Sequence, residues 1–367
     1  MKIFFDSRMC FPLENSISPS SSKPNLLIDY WRNNPQEFHF EICQVSPSSV
    51  EDLCLVHSRE YVDEILSGER ETGFGVKSLE LAKSLMWTCG SIVSAAEFSL
   101  LTGESSMSPT SGFHHAGFAS AGGFCTFNGL VLVAKKLLQS NAQVGIIDLD
   151  EHDGDGTRFI LEHLELESII PHLSLGAFDL DFFGSYTENE PDWIDFENAE
   201  YDTNRLNKYG QGKLFWCSDE KEDTQHWMHY CSKQTDGTWR CTDFYGHGGT
   251  PMNPNEDDME VRTFTLTTSS VDDWLDALPQ LIEDRFNQCD LVLYQAGADS
   301  HIDDPLGGRF TTGQFRRRDQ IVFQKLSELG IPVVWNLAGG YQEPIEKVLK
   351  LHTITAEEFH ATFSEDA

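Results

Sequence analysis

Two carboxylates and an imidazole have the residue types and placement of a metal-binding set. Asp150 and His152 are two residues apart just after a short apolar run, and Asp299 follows a second such run. Residues two apart in an extended chain point to the same side. Because ligands bind beyond the carboxyl ends of strands in open parallel sheets, we expect the three side chains to converge. Such a set leaves positions for water and substrate, and it suits Zn²⁺, with Fe²⁺, Co²⁺ and Mn²⁺ as alternatives.

Two adjacent histidines, His114 and His115, are candidates for proton transfer beside this metal. A carboxylate partner fixes the tautomer of a histidine and supports a proton shuttle, and Asp148 and Asp155 are the nearest candidates. A metal with open positions activates water and polarises a carbonyl group. Tyr341 follows two glycines, and its hydroxyl is a candidate donor to the oxyanion that develops when water attacks.

These residues follow elements of an α/β fold. Short apolar runs at 144–147, 291–294 and 332–337 predict buried parallel strands. Apolar residues at helical spacing predict one amphipathic helix from Leu81 to Ala96 and another that is capped by Ser270. Alternating strands and helices indicate a mostly parallel sheet between helix layers. The Ser/Pro-rich patch Ser16–Pro24 is typical of a surface loop.

The charge balance excludes some classes of partner. The chain has 367 residues, and its 26 Lys+Arg against 59 Asp+Glu give a formal net charge of −33. Such acidity disfavours direct nucleic-acid binding, which requires cationic side chains at phosphates, and it disfavours an anionic membrane surface. It favours a cationic ligand, although acidity can also serve solubility alone.

Cysteine usage and hydropathy predict a location in the cytoplasm. The nine cysteines are dispersed and include no CxxC pair, which is typical of reduced thiols. The longest apolar stretch, from Leu81 to Leu101, is interrupted by Lys83 and Glu97, so we expect no membrane span. Export to a host cell or to the nucleus stays open, as does the oligomeric state.

Five motifs resemble those of the zinc-dependent histone deacetylase and acetylpolyamine amidohydrolase family, which has the arginase–deacetylase fold. In chain order they are His-His-Ala at 114–116, Gly-Phe-Cys-x-Phe-Asn at 123–128, Asp-x-Asp-x-His-x-Gly-x-Gly-Thr at 148–157, Gly-x-Asp-x-x-x-x-Asp-Pro-Leu-Gly at 297–307 and Gly-Gly-Tyr at 339–341. The resemblance extends from about Val56 to Tyr341. It implies one deacetylase-like catalytic domain over residues 1–367.

The resemblance implies a role for each matching residue. It implies zinc binding by Asp150, His152 and Asp299. His115 would be the general base and acid, oriented by Asp155, and His114 would be its electrostatic partner, oriented by Asp148. Tyr341 would polarise the acetyl carbonyl. Gly123 and Phe124, with Phe183 opposite, would line the tunnel for the alkyl chain. Glu71 would hold the substrate backbone. A structural K⁺ would be bound by Asp148 and Ser174.

The chain departs from the family pattern at three places. Asp153 stands where the family has a second histidine, and it places an extra negative charge near the site. Ala338 replaces the usual third glycine before the tyrosine, which is expected to stiffen that loop. A long acidic insertion at about 185–260 has 17 Asp+Glu and 6 Lys+Arg and no clear family counterpart, so it is a candidate determinant of substrate choice.

The sequence therefore predicts a metal-dependent deacetylase of N-acetylated amines, with ε-acetyl-lysine in proteins such as histones as the favoured substrate. Acetylated polyamines are the alternative, and since both substrates are cationic the net charge does not separate them. A non-catalytic deacetylase-like binding protein is a further alternative, against which the intact ligand set argues. A two-metal hydrolase of the arginase kind would need further metal-binding carboxylates.

Two smaller patterns have no place in this assignment. Cys217, His226, His229, Cys231 and Cys241 form a weak candidate for a second zinc site in the insertion. The basic run Arg316-Arg317-Arg318 is expected to form a solvated helix face or to supply salt-bridge partners.

Overall fold

The computed structural model describes residues 1–13, 16–36, 38–175, 212–218, 226–233, 239–243, 260–262 and 271–364. The chain divides into two compact units, one of Met1–Asp179 with Val271–Ala367 and the other of Leu180–Ser270. Each unit is described by itself. The extent of the predicted insertion, at about 185–260, stays a prediction.

The larger unit is built on a seven-stranded sheet. Its strands are β1 (Lys2–Phe4), β2 (Glu41–Cys43), β3 (Ser106–Ser108), β4 (Val144–Asp148), β5 (His172–Ser174), β10 (Leu291–Gly297) and β11 (Val333–Ala338). Their order is β2-β1-β3-β11-β10-β4-β5, and every neighbouring pair is parallel. The α/β prediction is confirmed.

Nine helices are found in the part of this unit that the structure describes. They are α1 (Lys23–Asn33), α2 (Val50–Leu53), α3 (Arg59–Ser67), α4 (Leu79–Thr102), α5 (Gly129–Leu138), α6 (Asp155–His163), α7 (Val271–Phe286), α8 (Thr312–Glu328) and α9 (Glu346–Phe363). Side-chain caps set several N-termini: the Ser78 hydroxyl accepts from the amide of Leu81, and Thr311 and Gln314 form a reciprocal capping box. Ser270 lies outside the described residues.

Helices cover both faces of the sheet because side chains alternate along the central strands. Ile146, Leu293 and Val334 belong to one buried cluster with side chains of α3, α4, α5 and α6. On the opposite face, the Tyr294 ring lies 5.5 Å from Phe323 of α8, and the Trp335 ring lies 6.4 Å from Phe359 of α9. Burial on both faces explains why β4, β10 and β11 are continuous apolar runs.

The register aligns the carboxyl ends of the three central strands. Asp148, at the end of β4, lies opposite Gln295 of β10. Gly297, at the end of β10, lies opposite Ala338 of β11. The three chains therefore leave the sheet at one edge, and their next residues are Leu149, Ala298 and Gly339.

Helix α4 is longer than the sequence pattern predicts. With 24 residues it is long and apolar enough to cross a membrane by length and composition, although half of its most apolar stretch is buried inside the protein. Ala95 and Ile92 are fully buried in the cluster described above, and the Ser91 hydroxyl donates to the Phe4 carbonyl at 2.5 Å. These contacts are those of a core helix.

The smaller unit contains a four-stranded antiparallel sheet of β6 (Gly212–Ser218), β7 (His226–Lys233), β8 (Trp239–Asp243) and β9 (Glu260–Arg262), in the order β8-β7-β6-β9. Cys231 lies opposite Cys241, and Cys217 lies opposite Trp227. The weak candidate for a second zinc site at Cys217, His226, His229, Cys231 and Cys241 stays a prediction.

Candidate active site

Asp150, His152 and Asp299 meet where β4 and β10 leave the sheet. One donor atom from each lies within 4.8 Å of the others. The His152 Nδ1 atom is 3.2 Å from Asp150 Oδ1 and 2.9 Å from Asp299 Oδ2. Both carboxylates are almost wholly buried, with 2% and 0% of their residues exposed. The three residues that the sequence analysis grouped as zinc ligands therefore do form one cluster.

The electrostatics of this cluster fit a divalent cation. Burial and the nearby charge of Asp150 raise the pKa of Asp299 to about 7. Burial also acts to raise the pKa of Asp150, but the charge of His114 and the hydrogen bond from His152 hold it below its usual value. Two buried carboxylates that face each other are costly unless a cation compensates them. An Asp₂His donor set supplies that binding and leaves coordination positions open.

His114 and His115 lie beside the cluster, and each has a ring nitrogen within hydrogen-bond distance of a carboxylate. The Nδ1 atom of His114 is 2.8 Å from Asp148 Oδ2, and that of His115 is 2.6 Å from Asp155 Oδ1. The two rings are 4.0 Å apart. The other ring nitrogen of His114, Nε2, is 3.8 Å from Asp150 Oδ1.

The two histidines differ in protonation. Burial acts to lower the pKa of His114, but Asp148 and Asp150 outweigh it and raise that pKa to about 10. Burial and the positive charge of His114 lower the pKa of His115. At neutral pH the first ring is therefore a cation and the second is neutral. A neutral imidazole with one nitrogen fixed by a carboxylate can accept a proton at the other.

Asp148 and Ser174 are adjacent in the β4–β5 register, as the predicted K⁺ site requires. Asp148 Oδ1 also accepts from Gln295 Nε2 at 3.2 Å. The Ser174 hydroxyl donates to Asp153 at 3.1 Å, and Arg158 forms an ion pair with Asp153 at 2.8 Å. The extra charge of Asp153, which the sequence analysis placed near the metal, is thus offset by Arg158.

Tyr341 is carried by a short turn that follows β11. Asp304 Oδ2 accepts from the Tyr341 amide at 2.7 Å, and the buried Lys23 ammonium donates to the Gly339 carbonyl. Burial and the nearby Asp299 and Asp150 raise the pKa of Tyr341 well above its usual value. The phenol therefore keeps its proton and can donate a hydrogen bond.

The surroundings of Ala338 and Gly339 explain why these residues precede the Tyr341 turn. Ala338 is the last residue of β11 and is buried inside the sheet, so the departure from the family glycine affects the strand rather than the turn. Gly339 has φ +41°, and a Cβ there would lie 2.1 Å from Cγ of Asp299. A side chain at Gly339 would have to displace the Asp299 carboxylate.

The predicted substrate-lining residues are brought together only in part. Gly123 lies against His115, since a Cβ at Gly123 would lie 2.3 Å from His115 Cδ2. The Phe124 ring lies 6.0 Å from that of Tyr341 and 6.0 Å from that of Phe74. Glu71 is exposed, and no contact links it to these rings. Phe183 lies outside the described residues.

The sequence analysis missed Lys23 and Asp304, which hold the Tyr341 turn. The expectation that Ser16–Pro24 forms a surface loop was wrong at several positions. Ser18, Ser20 and Ser21 are buried, and Lys23 and Pro24 begin α1 and are buried as well. Burial lowers the pKa of Lys23 to about 8. A buried lysine cannot be recognised from composition, since lysine is rarely buried. Asp304 belongs to the Asp-Pro-Leu-Gly motif, and that membership was the available signal.

The comparisons with known proteins bear on this geometry. The family described as the histone deacetylase domain matches residues 20–211, which is more than half of the chain. This chain belongs to the histone deacetylase domain family. The crystal structure of the HDA15 HD domain covers 100% of this chain and 92% of its own, with a TM-score of 0.61 and 19% identity. That likeness concerns the fold.

Relatives of this histone deacetylase-family chain include proteins named as histone deacetylases and an uncharacterized protein. Histone deacetylase B of Dictyostelium discoideum is 27% identical over 176 residues, 43% of this chain and 39% of that protein. Probable histone deacetylase 1-A of Xenopus laevis is 29% identical over 148 residues, 36% of this chain and 30% of that protein. An uncharacterized protein of Picosynechococcus sp. is 24% identical over 315 residues, 82% of this chain and 79% of that protein. The matches to the two named deacetylases thus span well under half of their length.

Replacing Gly339 with alanine tests the close approach to Asp299. We expect Gly339→Ala to weaken divalent-metal binding by about 10- to 100-fold, as loss of support to a ligand typically does. Gly330→Ala is the matched control, because Gly330 also has a positive φ, of +70°, but has nothing within 4 Å of its Cβ position. That control should keep the metal affinity of the unchanged protein, and equal affinities in both variants would contradict the steric argument.

Asp304→Asn tests how the Tyr341 turn is held. The Asp304 carboxylate accepts from the amides of both Tyr341 and Leu306, and an amide side chain can satisfy only one of them. We expect kcat to fall by roughly 10- to 100-fold, as small misplacements of a reacting group do, with metal content unchanged. Steady-state kinetics and elemental analysis of the same samples check this, and an unchanged kcat would show that the second acceptor is dispensable.

Proposed function

We propose that this chain is a zinc-dependent deacetylase that hydrolyses the acetamide of N-acetylated amines to acetate and a primary amine. One observation carries the proposal: a buried Asp₂His cluster lies beside two adjacent histidines, each with its Nδ1 atom within hydrogen-bond distance of a carboxylate. Family membership supports a hydrolase of this kind. Zinc suits two carboxylates and an imidazole, and Fe²⁺ or Co²⁺ would accept the same donors.

Asp150, His152 and Asp299 would hold the metal. When bound, a divalent ion of this kind lowers the pKa of water and polarises a carbonyl oxygen. His115 takes the proton of the attacking water and later gives it to the leaving amine, with Asp155 fixing its tautomer throughout. Tyr341 donates its hydroxyl to the oxygen of the acetyl group as negative charge develops there. His114, whose pKa Asp148 and Asp150 raise, contributes positive charge beside His115.

We propose ε-acetyl-lysine in proteins as the substrate class, with acetylated polyamines as the alternative. The names of the relatives, histone deacetylases from Dictyostelium discoideum and Xenopus laevis, support the first. A net charge of −33 favours approach of either cationic substrate. A structural K⁺ held by Asp148 and Ser174 is part of the proposal. So is a reducing, cytoplasmic location, since the six cysteines described as free include half-buried and buried positions alike.

The proposal is tested by assaying an acetyl-lysine peptide and acetylputrescine side by side, each with and without a strong chelator. We expect acetate release from the peptide, loss of that release on metal removal, and recovery on adding Zn²⁺. Greater turnover of acetylputrescine would assign the alternative substrate. Activity that survives complete metal removal would contradict the mechanism, and no activity on either substrate would favour a non-catalytic binding protein.

Tyr341→Phe removes the hydroxyl and keeps the ring that packs near Phe124. We expect kcat to fall by about a hundredfold or more, which is typical for loss of one oxyanion donor. Metal content should stay the same, because Tyr341 is not a member of the donor cluster. Measuring kcat and bound metal on the same preparation separates the two effects, and wild-type turnover would remove Tyr341 from the mechanism.

A further inference from the structure

Arg318 differs from the two arginines that precede it in the basic run of α8. Arg316 forms ion pairs with Glu357 and Glu358 of α9, and Arg317 pairs with Asp276 of α7. These pairs are partly exposed, as the sequence analysis expected. Arg318, in contrast, is completely buried, so the expectation of a solvated face was wrong for this residue. A guanidinium is almost never fully buried unless its charge and donors are satisfied.

The donors of Arg318 are directed at the two segments that carry the metal-binding carboxylates. Its Nη1 atom lies 3.0 Å from the Leu149 carbonyl, 2.8 Å from the Gly297 carbonyl and 2.6 Å from the Ser300 hydroxyl. Leu149 directly precedes Asp150. Gly297 lies two residues before Asp299, and Ser300 directly follows it. One nitrogen therefore joins both strand ends at the point where the carboxylates diverge from the sheet.

The guanidinium is itself held rigidly. Its Nε and Nη2 atoms lie 2.8 and 2.7 Å from Asp319 Oδ1. The Tyr294 hydroxyl of β10 donates to Asp319, as does the Thr355 hydroxyl of α9 at 2.6 Å. The guanidinium carbon also lies 4.1 Å from the centre of the Phe315 ring. The guanidinium is thus held by Asp319 and Phe315 of its own helix on one side and by the carbonyls of Leu149 and Gly297 on the other.

We propose that Arg318 is a positioning residue that sets the separation of Asp150 and Asp299 and so preorganises the metal-binding cluster. The inference rests on the proposed function to the extent that the cluster binds a divalent metal. Two carboxylates in a buried site repel each other, and a site that keeps them within reach of one ion must resist that repulsion. Hydrogen bonds from Arg318 to the backbone carbonyls of the two segments resist that repulsion, and they leave the carboxylate oxygens available to the metal.

A second, largely buried link joins the same two segments. Arg309 forms a bidentate pair with Glu151, at 2.9 and 3.0 Å, and its amide donates to the Ser300 carbonyl at 2.9 Å. Glu151 lies between Asp150 and His152. Because this second link remains when Arg318 is altered, we expect a weakened metal site rather than a lost one.

Arg318→Lys is the first test, since lysine keeps the charge but lacks the planar fork that can serve Asp319 and the carbonyls together. We expect the affinities for Zn²⁺ and Co²⁺, measured by competition with a chromogenic chelator, to fall by about 10- to 100-fold. The visible absorption of the Co²⁺ form should change, and kcat should fall while KM does not. Arg317→Lys, one residue away on the exposed face, should match the unchanged protein in every measurement.

Arg318→Met combined with Asp319→Asn keeps the test informative if the single variant fails to fold. It removes the buried charges as a pair, which is far better tolerated than removing one of them, and it also removes the link to the carbonyls. A folded double variant with weakened Co²⁺ binding supports the inference. Wild-type affinity in either folded variant would overturn it. If the unchanged protein binds neither Zn²⁺ nor Co²⁺, it is the proposed function that fails.

Discussion

The repulsion between Asp150 and Asp299 is the constraint on which the site depends. Both carboxylates are buried, and burial near another negative charge raises the pKa of Asp299 to about 7. The fold tolerates the two buried carboxylates because cationic and hydrogen-bond-donating side chains lie near them. These are the imidazoles of His114 and His152 and the basic side chains of Arg318 and Lys23. A divalent ion bound by the cluster would complete this compensation.

The parallel sheet brings the two carboxylates together at the edge where its central strands end. The aligned ends of β4, β10 and β11 bring Asp150, Asp299 and Tyr341 to one edge, although they are far apart in sequence. Helix packing on both faces then holds the strand ends in place. The smaller unit, with its own antiparallel sheet, contains the stretch 185–260 with its 17 acidic and 6 basic residues.

The sequence predicted the central strands, the long helix and the donor cluster because each leaves a local signal. Continuous apolar runs indicate buried strands, and the spacing of Asp150 and His152 survives in any extended conformation. Arg318 and Lys23 could not be found in this way. Arg318 sits beside two exposed arginines, and only the packing of α8 against β10 and α9 decides which of the three is buried. Lys23 follows a run of serines and a proline that is typical of a loop, and its burial is set by contacts with a turn more than 300 residues away.

The central claim is that Asp150, His152 and Asp299 hold one divalent metal ion. The most direct test is the ratio of transition metal to protein, by elemental analysis, in the unchanged chain and in Asp299→Asn after equal exposure to Zn²⁺. We expect one zinc per chain in the first and far less than one in the second, with both proteins folded. Full zinc occupancy in Asp299→Asn, or two zinc ions per unchanged chain, would contradict the account.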